Sequence, residues 1–94
     1  MKKRPSESVQ WKILTRLYSV YPRALTDSEF LQHFGHRTGE AFVASVRQLI
    51  SDGLTEDDAV TTESGRAVVK ISGLRLTRLG AELMKNALSV SDGS

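Results

Sequence analysis

The sequence predicts an α+β domain with three helices, a β-hairpin and a C-terminal helix, in that order. Three observations predict it. Between residues 7 and 52 apolar side chains recur at helical spacing, in runs divided by Pro22 and Gly35. From residue 54 to 76 the chain turns to β-branched clusters around a polar turn. After Thr77 the helical spacing returns.

The first helix is expected over residues 7–21, with Ser6 as N-cap after Pro5. Lys12, Thr15, Arg16 and Ser19 form a narrow polar stripe, and Val9, Trp11, Ile13, Leu14, Leu17, Tyr18, Val20 and Tyr21 occupy the rest of the circumference. A helix apolar over more than half its surface is central or shared with a partner. Pro22 ends it. Thr26-Asp27-Ser28-Glu29 is a capping box opening a short helix over 27–34, with Phe30, Leu31 and Phe34 turned inward and Gly35 at the end. A third helix is expected over 39–52, with Phe42, Val43, Val46, Leu49 and Ile50 as its buried stripe and Gly53 as its stop.

Ala59-Val60-Thr61-Thr62 and Ala67-Val68-Val69-Lys70-Ile71 read as strands, and Glu63-Ser64-Gly65-Arg66 as the hairpin tip. The alternation breaks at Ser72-Gly73 and resumes at Leu74-Arg75-Leu76. A bulge and a second hairpin turn at Gly73 both fit that break. Thr77 caps the last helix, over 78–88, whose inner face is Leu79, Leu83, Met84, Ala87 and Leu88. Gly80 in its first turn costs about 1 kcal/mol against alanine, which makes sense where another backbone packs close. Residues 1–6 read as a flexible basic arm, 7–88 as the domain and 89–94 as a flexible tail.

Composition narrows the function classes. With 39% hydrophobic and 26% charged residues, the chain has the make-up of a globular domain rather than a disordered one. It has no cysteine, which excludes disulfides, thiolate metal sites and cysteine nucleophiles and fits a cytoplasmic protein. No apolar run reaches the roughly 20 residues of a membrane helix. Net charge is +2, but unevenly spread. Residues 1–25 carry six basic and one acidic side chain, a net +5, and residues 26–58 carry two basic and seven acidic, a net −5.

The segments Leu49-Ile50-Ser51-Asp52-Gly53-Leu54 and Leu74-Arg75-Leu76-Thr77-Arg78-Leu79-Gly80 sharpen the picture. The first looks like the end of a recognition helix running into a wing strand. The second resembles the strand, Leu-Thr, glycine passage into the last helix of small winged helix-turn-helix regulators, including relatives of the MarR and PadR groups and phage-type proteins. The resemblance spans residues 9–88 and implies a winged helix fold, double-stranded DNA as partner, transcription regulation as function, and a homodimer as working state.

On that reading the third helix sets Ala41, Ala44, Gln48 and Ser51 outward, flanked by Glu40, Ser45, Arg47 and Asp52. Gln48 matches adenine, and Arg47 matches guanine or a phosphate. Arg37 and Thr38 at the helix start suit a phosphate. Arg66 and Lys70, near the wing tip, suit the DNA backbone, as does the Lys2-Lys3-Arg4 arm. The acids Glu40, Asp52, Glu56, Asp57 and Asp58 oppose phosphate, so a protein-interaction module on the same fold stands as the alternative. Trp11 and Tyr18, seven apart on one edge of the first helix, are the expected dimer or partner contacts. His33 and His36 lack the companions of a metal site, Asp57-Asp58 lacks the glycine and glutamate of a calcium loop, and no catalytic constellation or cofactor motif is present.

Overall fold

A computed structural model describes residues 7–35 and 39–92, the side chains of 89–92 excepted. The architecture is α+β. The chain runs α1 (Glu7–Val20), α2 (Asp27–Phe34), α3 (Glu40–Ser51), β1 (Val60–Glu63), β2 (Arg66–Val69), a 3-10 turn at Ile71–Gly73, and α4 (Arg78–Asp92). The two strands form one antiparallel hairpin.

Local chemistry sets the helix ends. The Thr26 hydroxyl accepts from the Glu29 amide at 3.1 Å, and the Glu29 carboxylate accepts from the Thr26 amide at 2.9 Å, so both halves of the capping box are made. Gly35 closes α2 in the left-handed region, at φ 80°, with its N–H donating to Leu31. At the end of α3 the Gly53 amide donates to Ile50 and the Leu54 amide to Leu49, each at 2.9 Å. That pairing is a Schellman motif, and the positive φ of Gly53 makes it affordable.

One core joins the elements. Ile13 and Leu17 of α1, Phe30 of α2, Val46 and Leu49 of α3, and Met84 of α4 are fully buried in it. Phe30, Phe34 and Phe42 meet with ring centroids 5.1–5.8 Å apart, which seats α2 on the start of α3. Leu31, expected inward, lies about 100° round the helix from Phe30 and is half exposed.

The hairpin register pairs Val60 with Val69, Thr61 with Val68, Thr62 with Ala67 and Glu63 with Arg66. Its two-residue tip, Ser64-Gly65, has positive φ at both positions (53° and 75°), the geometry whose twist matches the strands. Below the strands the two legs stay together: Lys70 donates to Ala59, Glu56 to Arg75, and Thr77 to Leu54. Between these bonds one leg turns at Asp57-Asp58 and the other makes the 3-10 turn. The break at Ser72-Gly73 is therefore neither a bulge in a long strand nor a second hairpin. The two interruptions lie back to back, and a Cβ at Gly73 would overlap the Asp58 carbonyl.

Thr77 carries three bonds at the entry to α4. Its amide donates to Leu54 at 3.0 Å, its hydroxyl donates to Gly53 at 2.6 Å, and the same oxygen accepts from the Gly80 amide at 3.0 Å. A Cβ at Gly80 would overlap the Leu54 carbonyl oxygen, so α4 crosses the exit from α3 backbone to backbone. This contact line, through Gly80 and Met84, corrects the expected inner face of α4. Leu79 and Leu83 lie about 100–140° round from Met84 and stay 58% and 39% exposed. Leu88 follows Met84 by one turn on the same side yet is 45% exposed, because the body ends before it. The helix itself continues to Asp92, through most of the segment expected as a tail. Residues 1–6, with the expected N-cap Ser6 and the basic arm, lie outside the described residues.

Candidate nucleic-acid interface

The buried stripe of α3 decides what its other side presents. Val46 and Leu49 are fully buried and Phe42 and Val43 nearly so, which turns Glu40, Ala41, Arg47 and Ser51 outward as exposed side chains. Ala44, at the middle of that side, is half-buried and faces the same groove as the hairpin tip. Helix and hairpin tip enclose an open groove of about 750 Å³, lined on one side by Gly39, Glu40, Val43, Ala44 and Arg47, and on the other by Gly65, Arg66 and Ala67.

Two arginines from distant parts of the chain thus border one concavity. Arg47 comes from the third turn of α3, and Arg66 is the first residue of β2 beside the tip. Glu63 faces Arg66 in the register, so an acid and a base stand opposite each other at the tip. Ala44 between the arginines leaves the groove floor low. Glu40 adds one negative charge to the rim.

Arg47 also borders a second hollow, of about 380 Å³, with Ile50, Ser51, Asp57, Val60, Thr61 and Thr62. Arg47 therefore stands where α3 passes the hairpin and borders both concavities. Thr61, Thr62 and Asp57 were missed as site residues from sequence. The hairpin register carries the signal: once Thr62 faces Ala67, β1 runs past the outer side of α3.

The other expected site residues are distributed differently. Gln48 is half-buried and its amide donates to the Asp52 carboxylate at 3.0 Å, so the group expected to read a base is engaged along its own helix. Ser45, expected to flank the outer face, is fully buried and its hydroxyl donates to the Ala41 carbonyl at 2.8 Å. Lys70 is exposed but follows the last strand residue at the base of the hairpin, bonded through its amide to Ala59, not near the tip. Four residues of extended chain separate it from Arg66, roughly 13 Å. Arg37, Thr38 and His36 lie outside the described residues.

Trp11 is 48% exposed, whereas Tyr18 is half-buried against the core, so the expected aromatic edge of α1 is divided between solvent and interior. Lys12, about 100° round α1 from Trp11, stands 5.4 Å from the centre of the Phe34 ring. No helix among the described residues is long and apolar enough to cross a membrane. Comparison with protein-family models, with curated proteins and with solved structures returned no match to this chain.

Proposed function

We propose that this chain is a winged helix protein that binds double-stranded DNA and acts as a small transcriptional regulator. In this reading α3 enters the major groove and the hairpin is the wing. The observation that carries it is the groove between α3 and the hairpin tip, with Arg47 on one wall and Arg66 on the other. A helix presenting Ala44 between longer polar side chains approaches a groove floor closely, and an arginine at its side meets guanine in bidentate fashion. A hairpin tip carrying Arg66 reaches the adjacent phosphates.

Affinity for duplex comes largely from neutralised phosphates. One chain offers few cations here, and Glu40 and Asp57 border the same surface, so a single copy binds weakly and two copies on paired half-sites bind well. Fluorescence anisotropy with a labelled duplex tests the reading. Raising salt from about 50 to 200 mM should lower the affinity by on the order of a hundredfold. Arg66→Ala should weaken all sequences alike and reduce the salt slope by about 1, whereas Arg47→Ala should alter sequence preference. Absence of duplex binding at low salt removes the proposal.

A second reading, a protein-interaction module, draws on the acids of the same side: Glu40 on the rim, Asp52 holding Gln48, and exposed Asp57 and Asp58 below. It predicts retention of a basic peptide under conditions where duplex is not retained.

A further inference from the structure

Glu40, Ala44 and Arg47 border one wall of the groove between α3 and the hairpin tip. Steps of four and three residues keep them within about 60° of one another round the helix. Glu40 and Arg47 are exposed, and Ala44 between them is half-buried. An acceptor and a donor therefore stand about two turns apart on one face, about 10.5 Å along the axis. Among the described residues Glu40 forms no ion pair. The helix dipole favours an acid anywhere in the first turn. Exposed Ala41 would have served the dipole as well, without bordering the groove.

We infer that Glu40 is a base reader, its carboxylate accepting a hydrogen bond from the exocyclic amine of a cytosine about three base pairs from the guanine that Arg47 meets. The inference rests on the DNA reading above, and gives a chemical role to an acid that otherwise only repels phosphate. An ionised carboxylate accepts hydrogen bonds and donates none. In the major groove cytosine presents its N4 amine alone, whereas adenine sets an N7 acceptor beside its amine, and guanine and thymine present acceptors. Cytosine is thus the base that meets a carboxylate without an opposing lone pair. Arg47 carries donors only, and guanine presents two acceptors to match it. The spacing agrees with the duplex. Base pairs rise about 3.4 Å each, so three steps cover about 10.2 Å, close to the separation of Glu40 and Arg47 on a helix lying along the groove. Ala44 falls about two steps from Glu40, where its methyl group meets the methyl group of a thymine. The acid also sharpens discrimination, because it lowers affinity for every duplex that offers no amine at that pair.

The test is selection of duplexes from a randomised pool by the full chain at low salt, followed by anisotropy on the enriched sequences. Wild type should enrich a C·G pair and a G·C pair about three steps apart. Exchanging that C·G pair for T·A replaces the amine with an acceptor and should weaken wild type about tenfold. Glu40→Gln should move the preference at this pair from cytosine to adenine, which a carboxamide meets with both its groups, and leave the guanine preference of Arg47 in place. The same variant should bind unrelated duplexes several-fold more tightly, since one negative charge has left the groove. Retention of the guanine preference shows that the variant is folded. If Glu40→Gln strengthens every duplex by the same factor and the preferred bases stay as they were, Glu40 only repels, and the inference falls while the DNA reading stands. Enrichment without a cytosine at a fixed distance from the guanine overturns it equally. A wild-type chain that retains no duplex at all overturns both.

Discussion

Gly80 lies where α4 passes over the chain leaving α3, and no side chain fits between them. Gly80→Ala should cost about 2 kcal/mol by overpacking against the Leu54 carbonyl, in spite of the better helix propensity of alanine, as measured by urea unfolding. Its role was legible in the sequence, because a glycine in a first helical turn is hard to explain otherwise. Thr77 was legible for the same local reason, as strand end and cap together. Thr55 was not. It is almost fully buried at its backbone bridge with Leu76, and its hydroxyl finds no hydrogen-bond partner among the described residues. Thr55→Val should therefore be neutral or stabilising by up to about 1 kcal/mol, whereas Thr77→Val, which strips a cap and a bond to Gly53, should cost about 1–2 kcal/mol.

Among the elements, α2 owes its start to the capping box and the Arg23–Glu29 ion pair at 3.2 Å. The Thr26 amide bond, then Arg23, holds the Glu29 carboxyl below its ordinary range. A carboxylate with a lowered folded-state pKa stabilises the fold at pH above its unfolded value and loses that contribution as pH falls through the lowered one. The stability difference between wild type and Glu29→Gln should accordingly be constant near neutrality and shrink in acid, which unfolding curves at a series of pH values will show. The hairpin tip has positive φ at Ser64 and Gly65, a conformation that asparagine tolerates better than serine. Ser64→Asn should raise the thermal midpoint modestly without affecting the groove. These ends and turns were readable because a few adjacent residues determine them. The orientation of α4 and the 3-10 turn at Ile71–Gly73 were not, since both follow from backbone contacts with Leu54 and Asp58, residues distant in sequence.

Across the whole molecule, two surfaces stand apart. The outer side of α3 with the hairpin tip carries the two arginines, and the α1–α4 side carries the partly exposed Leu79, Leu83 and Trp11. Helical spacing alone located Ala44, Arg47 and Ser51, because the buried stripe of α3 leaves them one direction to face. It could not locate the engagement of Gln48 by Asp52, the burial of Ser45, or the distance of Lys70 from the tip, which depend on rotamers and on where the strands end. The most direct measurement is a titration of the isotope-labelled protein with a short duplex, followed by amide NMR shifts. Binding as proposed moves the amides of Glu40, Ala44, Arg47 and Ser51 and those of Ser64, Gly65 and Arg66, and leaves Trp11 and Leu83 in place. Shifts confined to the α1–α4 side, or none at low salt, would contradict it.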